Sequence, residues 1–561
     1  MRNCFTLILL FIAVISYAQQ PQKKHVTAAE IDAVFSQWNT TTQAGIAVGI
    51  VSDGRTIYTK GYGLASMEHK VPISPETKFL IGDIAKEFTV YSILLLEERG
   101  KLSMDNDVRR YLPQLKDYPT SLTIEELVYH TSGLNNHAVS KALSGWAHQD
   151  VLSKEQAYKM VENQANSNPD KNGMQAPTDF GFMILEDVIS QVSGQTYAEF
   201  VESEIFKPLG MYNSVYDVSG QVIENKAQGY FRVQEAFSIS HFAPDHTLVS
   251  DLYTTVEDMC LWAQELFNPK VGSRGMVSKF DNLSEVNGEH VEMNNLALYT
   301  GGHRYWNFMG AHKLYHIEVS GGYASKLIRY PDYNLAVVVL GNDGAYNGYA
   351  GTGASELYIR EFLTPPVASA SSEVKTVELS SDQLLAYQGH FWDGTNHTSR
   401  KIQMDRDTLW YVRGPENRSA LVPTSDHSFR MITQGDVEVV FNQKVNPMTM
   451  QVRVGEEVFD MESYDEEALW SRNLDSFTGD YYSDALDVTY SIAIDRKLKI
   501  THPRMESITL EPRIRDLFSG NQEFFESIKF KRDENGQVIG FTLSTMGFSE
   551  VWFQKKSISS I

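Results

Sequence analysis

The sequence predicts a mixed α/β fold in the longer N-terminal part of the chain and two small all-β units behind it. Three observations predict this. Strand-like apolar runs and helical periodicities mix up to about residue 363. A stretch rich in Pro, Ala and Ser then breaks the pattern at 365–376 and reads as a linker. Beyond it strand-like segments dominate and repeat themselves. With 561 residues the chain exceeds one compact domain of about 100–200 residues, so two to four are expected. Apolar residues make up 42% and charged residues 21%, the balance of a protein that can bury a sizeable core. The net charge of -22 repels phosphate backbones and argues against nucleic-acid partners.

The N-terminus reads as an export signal over residues 1–18. Arg2 supplies its charge, Phe5 to Ile15 its apolar run, and Ser16-Tyr17-Ala18 its small residues before a cut at Gln19. That run is shorter than the ~20 residues needed to cross a bilayer, so no membrane span is expected once the signal is removed. The expected location is the periplasm or outside the cell. Of the two cysteines, Cys4 leaves with the signal. Cys260, inside the helix predicted over 256–262, reads as a buried structural thiol.

The first domain is expected over 27–363. The apolar run Gly45 to Val51, then Asp53-Gly54, then Thr56-Ile57-Tyr58 spells a β-hairpin. Phe88 to Glu98 carries apolar residues at helical spacing and stops at Gly100. Leu185 to Val192 and Tyr197 to Ile205 are also helical in pattern, and Ala336 to Leu340 is a buried strand. After the linker (364–376), two β domains are expected over 377–465 and 466–556. Tyr387-Gln388-Gly389-His390-Phe391 matches Phe477-Thr478-Gly479-Asp480-Tyr481, Pro423 and Phe429 match Pro512 and Phe518, and Phe441 matches Phe530. The offset stays at 89–90 residues (477 against 387, 530 against 441), as expected for two copies of one sheet closed or half-closed on itself.

Ordered segments in the first domain carry a resemblance. They are Phe79-Leu80-Ile81-Gly82-Asp83-Ile84-Ala85-Lys86, Leu122-Thr123-Ile124-Glu125-Glu126-Leu127, His130-Thr131-Ser132-Gly133-Leu134, Val192-Ser193-Gly194 and Phe206-Lys207-Pro208-Leu209-Gly210-Met211. Residues 27–363 resemble the serine β-lactamase-like family of class C β-lactamases, D-alanyl-D-alanine peptidases and related esterases. The resemblance implies a mostly antiparallel sheet flanked by helices, with an all-helical insertion over roughly 90–250.

The same resemblance places three site clusters, and each departs from the family. The family's Ser-x-x-Lys falls on Asp83-Ile84-Ala85-Lys86, so the lysine remains and the nucleophilic serine does not. Attack by a carboxylate on an ester or amide would give a mixed anhydride, no easier to form than direct hydrolysis. Thr89 lies deeper along the helix and is a poor stand-in. The family's Tyr-x-Asn falls on Pro177-Thr178-Asp179, and proline has no proton to transfer. Its Lys-Thr-Gly or His-x-Gly triplet falls on His316-Ile317-Glu318, with a glutamate where a glycine keeps the strand edge open. The Gly-rich turn expected before Thr254 is replaced by Leu248-Val249-Ser250-Asp251.

Lys86 one helical turn from Asp83 should stay charged and make a poor base. His316 and Glu318, two apart on a strand, should share a face. Three readings of the acidic positions stay open. Lys86 neutralises Asp83 and the other carboxylates are solvated; or Asp83, Lys86, Asp179, His316 and Glu318 bind an amine-bearing ligand such as a peptide or peptidoglycan fragment; or Asp83, Asp179, His316 and Glu318 hold a divalent metal. No cofactor is required by the first two. His130 reads as a structural residue near a turn, while His137, His148, His241, His246 and His312 show no partner in the sequence. The expected function is a ligand- or partner-binding relative without acyl-serine hydrolysis. The alternatives are a hydrolase of altered, metal-assisted mechanism on ester, amide or D-amino-acid peptide substrates, and an interaction protein acting through its β repeats.

Overall fold

The computed structural model describes residues 23–556 except 116–119, 147–149, 165–177, 219, 234–235, 242–250, 283–284, 287–288, 291, 295–296, 345–348, 365–375, 395–397, 415–416, 434–436, 455–456, 465–473, 515, 523 and 546–547. The expected export signal, most of the expected linker, Pro177 and the Leu248 to Ser250 turn therefore lie outside the described residues.

Eight antiparallel strands form the central sheet. They are β1 (Ile46–Ser52), β2 (Arg55–Tyr62), β3 (Glu292–Asn294), β4 (Ala297–Tyr299), β5 (Arg304–Phe308), β6 (Ala311–Ser320), β7 (Tyr323–Tyr330) and β8 (Leu335–Gly341). Their spatial order is β3-β4-β5-β6-β7-β8-β1-β2. The hairpin read from 45–58 is β1 and β2, and the late apolar strand β8 closes beside β1 with Val48 opposite Val339.

Strand geometry sends alternate side chains to opposite faces, and the adjacent strands β8 and β1 are apolar on both. Ala47, Val51, Ala336, Val338 and Leu340 enter one core, while Ile46, Val48, Ile50, Val337 and Val339 enter another. The helices around the sheet and in its insertion include α1 (Ala28–Val34), α2 (Lys86–Glu98), α3 (His137–Leu143), α4 (Asp179–Ser193), α5 (Val256–Phe267) and α6 (Tyr349–Ile359). The first core takes residues of α2, α4 and α5, and the second those of α1 and α6. Cys260 on α5 is buried as expected, and that burial pushes its thiol up to about 12.

The insertion is not all-helical. Short strands Val215–Tyr216, Tyr230–Val233 and Ala236–Ile239 lie within it. Phe79–Leu80 and Val215–Tyr216 both pair with Leu252–Thr254. This gives partners to backbone groups buried just before α2 begins, which a helix could not do at that point. Among the described residues no helix is long and apolar enough to cross a membrane.

The two C-terminal repeats are closed eight-stranded barrels. The first runs from Gly389–Asp393 to Glu457–Tyr464 and the second from Gly479–Ser483 to Phe548–Lys555, with first and last strands paired in each. Closure leaves no open sheet edge. The repeat is visible in packing. Tyr387, Phe429 and Phe441 form a triangle of rings with centres 4.8–5.5 Å apart, and Phe477, Phe518 and Phe530 repeat it at 4.7–5.6 Å.

The second barrel is joined to the helical insertion. Val139 and Leu143 of α3 belong to its buried core. The Tyr490 hydroxyl donates to the Leu143 carbonyl at 2.5 Å, and the Ser144 hydroxyl donates to the Leu486 carbonyl at 3.2 Å. At Gly145 φ is +76°, and a Cβ there would lie 2.4 Å from the His502 ring. Glycine alone gives both the backbone conformation and the space.

Candidate functional site

The site forms where α2 begins. Gly82–Ala85 is a tight three-residue-per-turn helix that runs into α2. In such a turn residues three apart eclipse, so Asp83 and Lys86 stand side by side. The Lys86 ammonium lies 2.7 Å from Asp83 Oδ2 and 2.5 Å from Asp179 Oδ1. Asp179 is the first residue of α4, where a carboxylate also meets the positive end of the helix. Lys86 is 3% exposed, while the two aspartates keep about 30% of their side-chain surface. The Phe182 ring, 5.3 Å away, covers another side of the ammonium. Burial alone would strip the proton from Lys86, but Asp179 and Asp83 outweigh it and raise its pKa well above that of a free lysine. The charged form of Lys86 is therefore favoured, and a lysine held so is a poor base.

Glu318 lies across from this turn on β6. Gly82 has φ +53°, and a Cβ on it would sit 2.4 Å from Glu318 Cγ, so the glutamate packs flat against the residue preceding Asp83. Burial, then the charge of Asp83, pushes Glu318 up to about 8; Asp179 adds to this, while Lys86 opposes it. At neutral pH it is a protonated acid that can donate a hydrogen bond. Its folded pKa lies above the ordinary 4.5, so the stability tied to its proton is complete below 4.5 and is lost as pH rises through about 8. Glu318→Gln has no such titration. Its melting temperature is expected to gain on the natural chain between pH 5 and 8.5 and to hold that gain above, measured by paired thermal melts. A constant difference across that range would contradict the assignment.

His316 and Glu318 share a face of β6, as their spacing predicts, but His316 turns to a different partner. Its Nδ1 lies 3.6 Å from Glu87 Oε1. Glu87, 1% exposed, also accepts from Trp262 Nε1 at 2.8 Å and stands 3.9 Å from His303. Burial raises the cost of its charge, yet His316, His303 and Trp262 prevail and hold its pKa below the usual carboxylate value. His303 continues to Asp281 at 3.1 Å, and Asp281 to Arg329 at 2.5 Å. This buried charged chain is invisible in the sequence motifs. The one signal for it is a carboxylate beside Lys86 at the start of an otherwise apolar helix.

Two histidines complete the wall. His130, at φ +57° and 2% exposed, accepts from the Thr178 N–H at its Nδ1, so its Nε2–H donates to the Tyr299 hydroxyl at 3.0 Å. Burial, helped by the charge of Lys86, brings its pKa down to about 3 and keeps it neutral. It is structural, as the sequence suggests. His137, for which the sequence shows no partner, is a core residue. It is buried, its ring meets Phe180 edge-on at 5.0 Å, and its Nδ1 lies 4.0 Å from Asp179.

The structure thus gathers Asp83, Lys86, Asp179 and Glu318 in one place, turns His316 on β6 to Glu87, one residue beyond Lys86 on α2, and describes nothing for Pro177. The solvated-carboxylate reading fails at Asp179, which Lys86 holds, and at Glu318. The described residues lend the metal reading no support. Among the described residues no three His, Cys, Asp or Glu side chains converge to hold an ion. The ammonium of Lys86 stands between the two aspartates where a cation would sit, and His316 faces Glu87. Two nearby hydroxyls among the described residues are engaged elsewhere. Thr89 is bound to the Tyr197 hydroxyl at 2.9 Å, and Ser325 donates to the Leu80 carbonyl. The ammonium's partners among the described residues are the two aspartates and a phenyl ring.

Comparison with known proteins supplies the family context. The model of the family described as Beta-lactamase matches residues 31–356. PbpX of Bacillus subtilis, named as a penicillin-binding protein, is 29% identical over 233 residues, 41% of this chain and 56% of PbpX, so the chain spans little more than half of that relative. A second penicillin-binding protein of Bacillus subtilis is 25% identical over 451 residues, 75% of this chain and 94% of its own length. Among solved structures, the octameric penicillin-binding protein homologue from Pyrococcus abyssi has a TM-score of 0.53 at 20% identity, covering 77% of this chain and 98% of its own, which speaks to the fold alone.

Proposed function

This chain belongs to the β-lactamase family, and from that premise we propose that it is a member whose cleft binds a ligand and does not cleave one. A single observation carries the reading. The lysine that would activate a nucleophile is held as an ammonium between Asp83 and Asp179, and no serine or threonine hydroxyl among the described residues is hydrogen-bonded to it. Acyl transfer in this scaffold needs a nucleophile and a base at that spot, and the described residues offer neither.

What remains is a polar cleft suited to recognition. At neutral pH Asp83 and Asp179 face one ammonium, and Glu318 carries its proton, so the cleft holds one excess negative charge. Such a cleft favours a ligand with an amine, and a peptide or peptidoglycan fragment has this chemistry. The acid of Glu318 would donate to a ligand carbonyl. The same reading puts the protein outside the cytoplasm, on the strength of residues 1–18 and of relatives named as penicillin-binding proteins.

The test is hydrolysis of a chromogenic cephalosporin, a short-chain p-nitrophenyl ester and a D-alanyl-D-alanine peptide, beside Lys86→Ala and a sample treated with EDTA. The expected result is no turnover above the Lys86→Ala control, with saturable calorimetric binding of the peptide by the natural chain. Turnover that requires Lys86 and survives EDTA would overturn the proposal, and turnover abolished by EDTA would revive a metal-assisted reaction.

A further inference from the structure

The two barrels share a fold and a repeat, but the same end of each meets different surroundings. The 89–90-residue offset aligns Arg400 with Tyr490, Arg413 with His502 and Asp393 with Ser483. Strand pairing agrees, since Arg400 lies opposite Phe391 where Tyr490 lies opposite Tyr481. In the second barrel this end is stoppered by the chain itself. Val139 and Leu143 enter the core, Tyr490 donates to the Leu143 carbonyl, and His502 lies against Gly145. That end of the barrel therefore takes an apolar group together with an oxygen acceptor.

In the first barrel the corresponding end holds a cavity of about 240 Å³. The buried cluster beneath it contains only residues between 384 and 461, with no contribution from the helical insertion. Met431, Met461 and Phe459 line its apolar side. Arg400 and Arg413 line it too, with the buried carboxylate of Asp393. Arg400 donates to the Tyr411 hydroxyl at 3.1 Å and the Ser399 carbonyl at 2.8 Å. Arg413 donates to Asn417, Ser419 and, at 2.8 Å, the Met431 sulfur, a weak acceptor for a guanidinium. Among the described residues neither arginine has a carboxylate partner. Among the described lining residues two guanidiniums stand with one carboxylate, and Thr398 and Tyr411 are the other polar side chains beside the apolar ones.

We propose that the mouth of the first barrel is a binding site for a small amphipathic carboxylate, its acid held by Arg400 and Arg413 and its short apolar tail lying on Met431, Met461 and Phe459. An eight-stranded barrel has room for side chains or for one small ligand. The volume equals about eight water molecules at ~30 Å³ each, which limits the tail to a short chain. Guanidinium forks match carboxylates in two parallel hydrogen bonds, so the head group is read by shape as well as charge. The site is independent of the cleft at Lys86.

Calorimetric titration of the full chain with octanoate tests this, with 1-octanol and acetate as controls. Octanoate is expected to saturate one site, and octanol and acetate to bind at least tenfold more weakly. Arg400→Gln, which keeps a polar side chain of similar reach, is expected to lose tenfold or more in octanoate affinity. Met461→Trp fills the cavity without changing charge and is expected to abolish binding. Absence of saturable octanoate binding, equal affinity in Arg400→Gln, or binding that survives Met461→Trp would each overturn the proposal.

Discussion

Replacing Lys86 by methionine is expected to be among the most damaging single changes in the protein. The methionine fills the same space beside Phe182 but leaves Asp83 and Asp179 with no shared cation, and with Glu318 above them. Removing one partner of a fully buried pair costs ~3–5 kcal/mol, and the partial exposure of both aspartates brings this to about 2–4 kcal/mol. For a domain of this size that is a fall of roughly 3–6 °C in melting temperature. Lys86→Met combined with Asp179→Asn removes one of the stranded charges and is expected to recover about half the loss. Thermal melts of the three proteins decide it. A Lys86→Met chain as stable as the natural one would mean that the ammonium does not hold the two carboxylates together.

The second large effect is expected at the joint between the insertion and the second barrel. Leu143 is fully buried in that barrel's core. Truncating a buried leucine to alanine costs ~2–5 kcal/mol, and Leu143→Asp also puts a charge into that apolar core. The joint is expected to part before either unit unfolds, because the barrel is closed by its own strands and keeps most of its core. Limited proteolysis reads this directly, with faster cutting between residues 137 and 151 in the variant. Since α3 begins at His137, 4.0 Å from Asp179, parting the joint also loosens one wall of the cleft. Unchanged protease resistance would show that α3 is held by the insertion alone.

The parts of this molecule legible in the sequence are those with local patterns. The apolar runs of β1 and β8 announce a sheet buried on both faces, and the recurrence of Phe441 as Phe530 announces two barrels. Asp83 and Asp179 stand out because they interrupt a recognisable order of segments, and the neutralising role of Lys86 follows from its spacing to Asp83 alone. Its second bond, to Asp179, needs the fold. The chain from Arg329 through Asp281, His303 and Glu87 to His316 has no local signature, because its members lie on elements up to 242 residues apart (329 against 87) and meet only when β5, β6 and β7 pack on α2. The strand Val215–Tyr216 escapes for another reason. Two residues are too few to show an alternation, and its identity comes from the strand beside it. The metal reading treated Asp83, Asp179, His316 and Glu318 as free ligands, and spacing alone could not reveal that Lys86 and Glu87 already engage three of them.

The central claim is that this cleft carries no group able to form an acyl-enzyme. The most direct measurement is the intact mass of the protein after incubation with a fluorescent penicillin, a reagent that acylates a competent nucleophile in this fold and stays attached. An unchanged mass, with no fluorescence retained after denaturation, is the result this structure predicts. A mass increased by one penicillin, mapped by peptide analysis to any residue lining the cleft around Lys86, would contradict it.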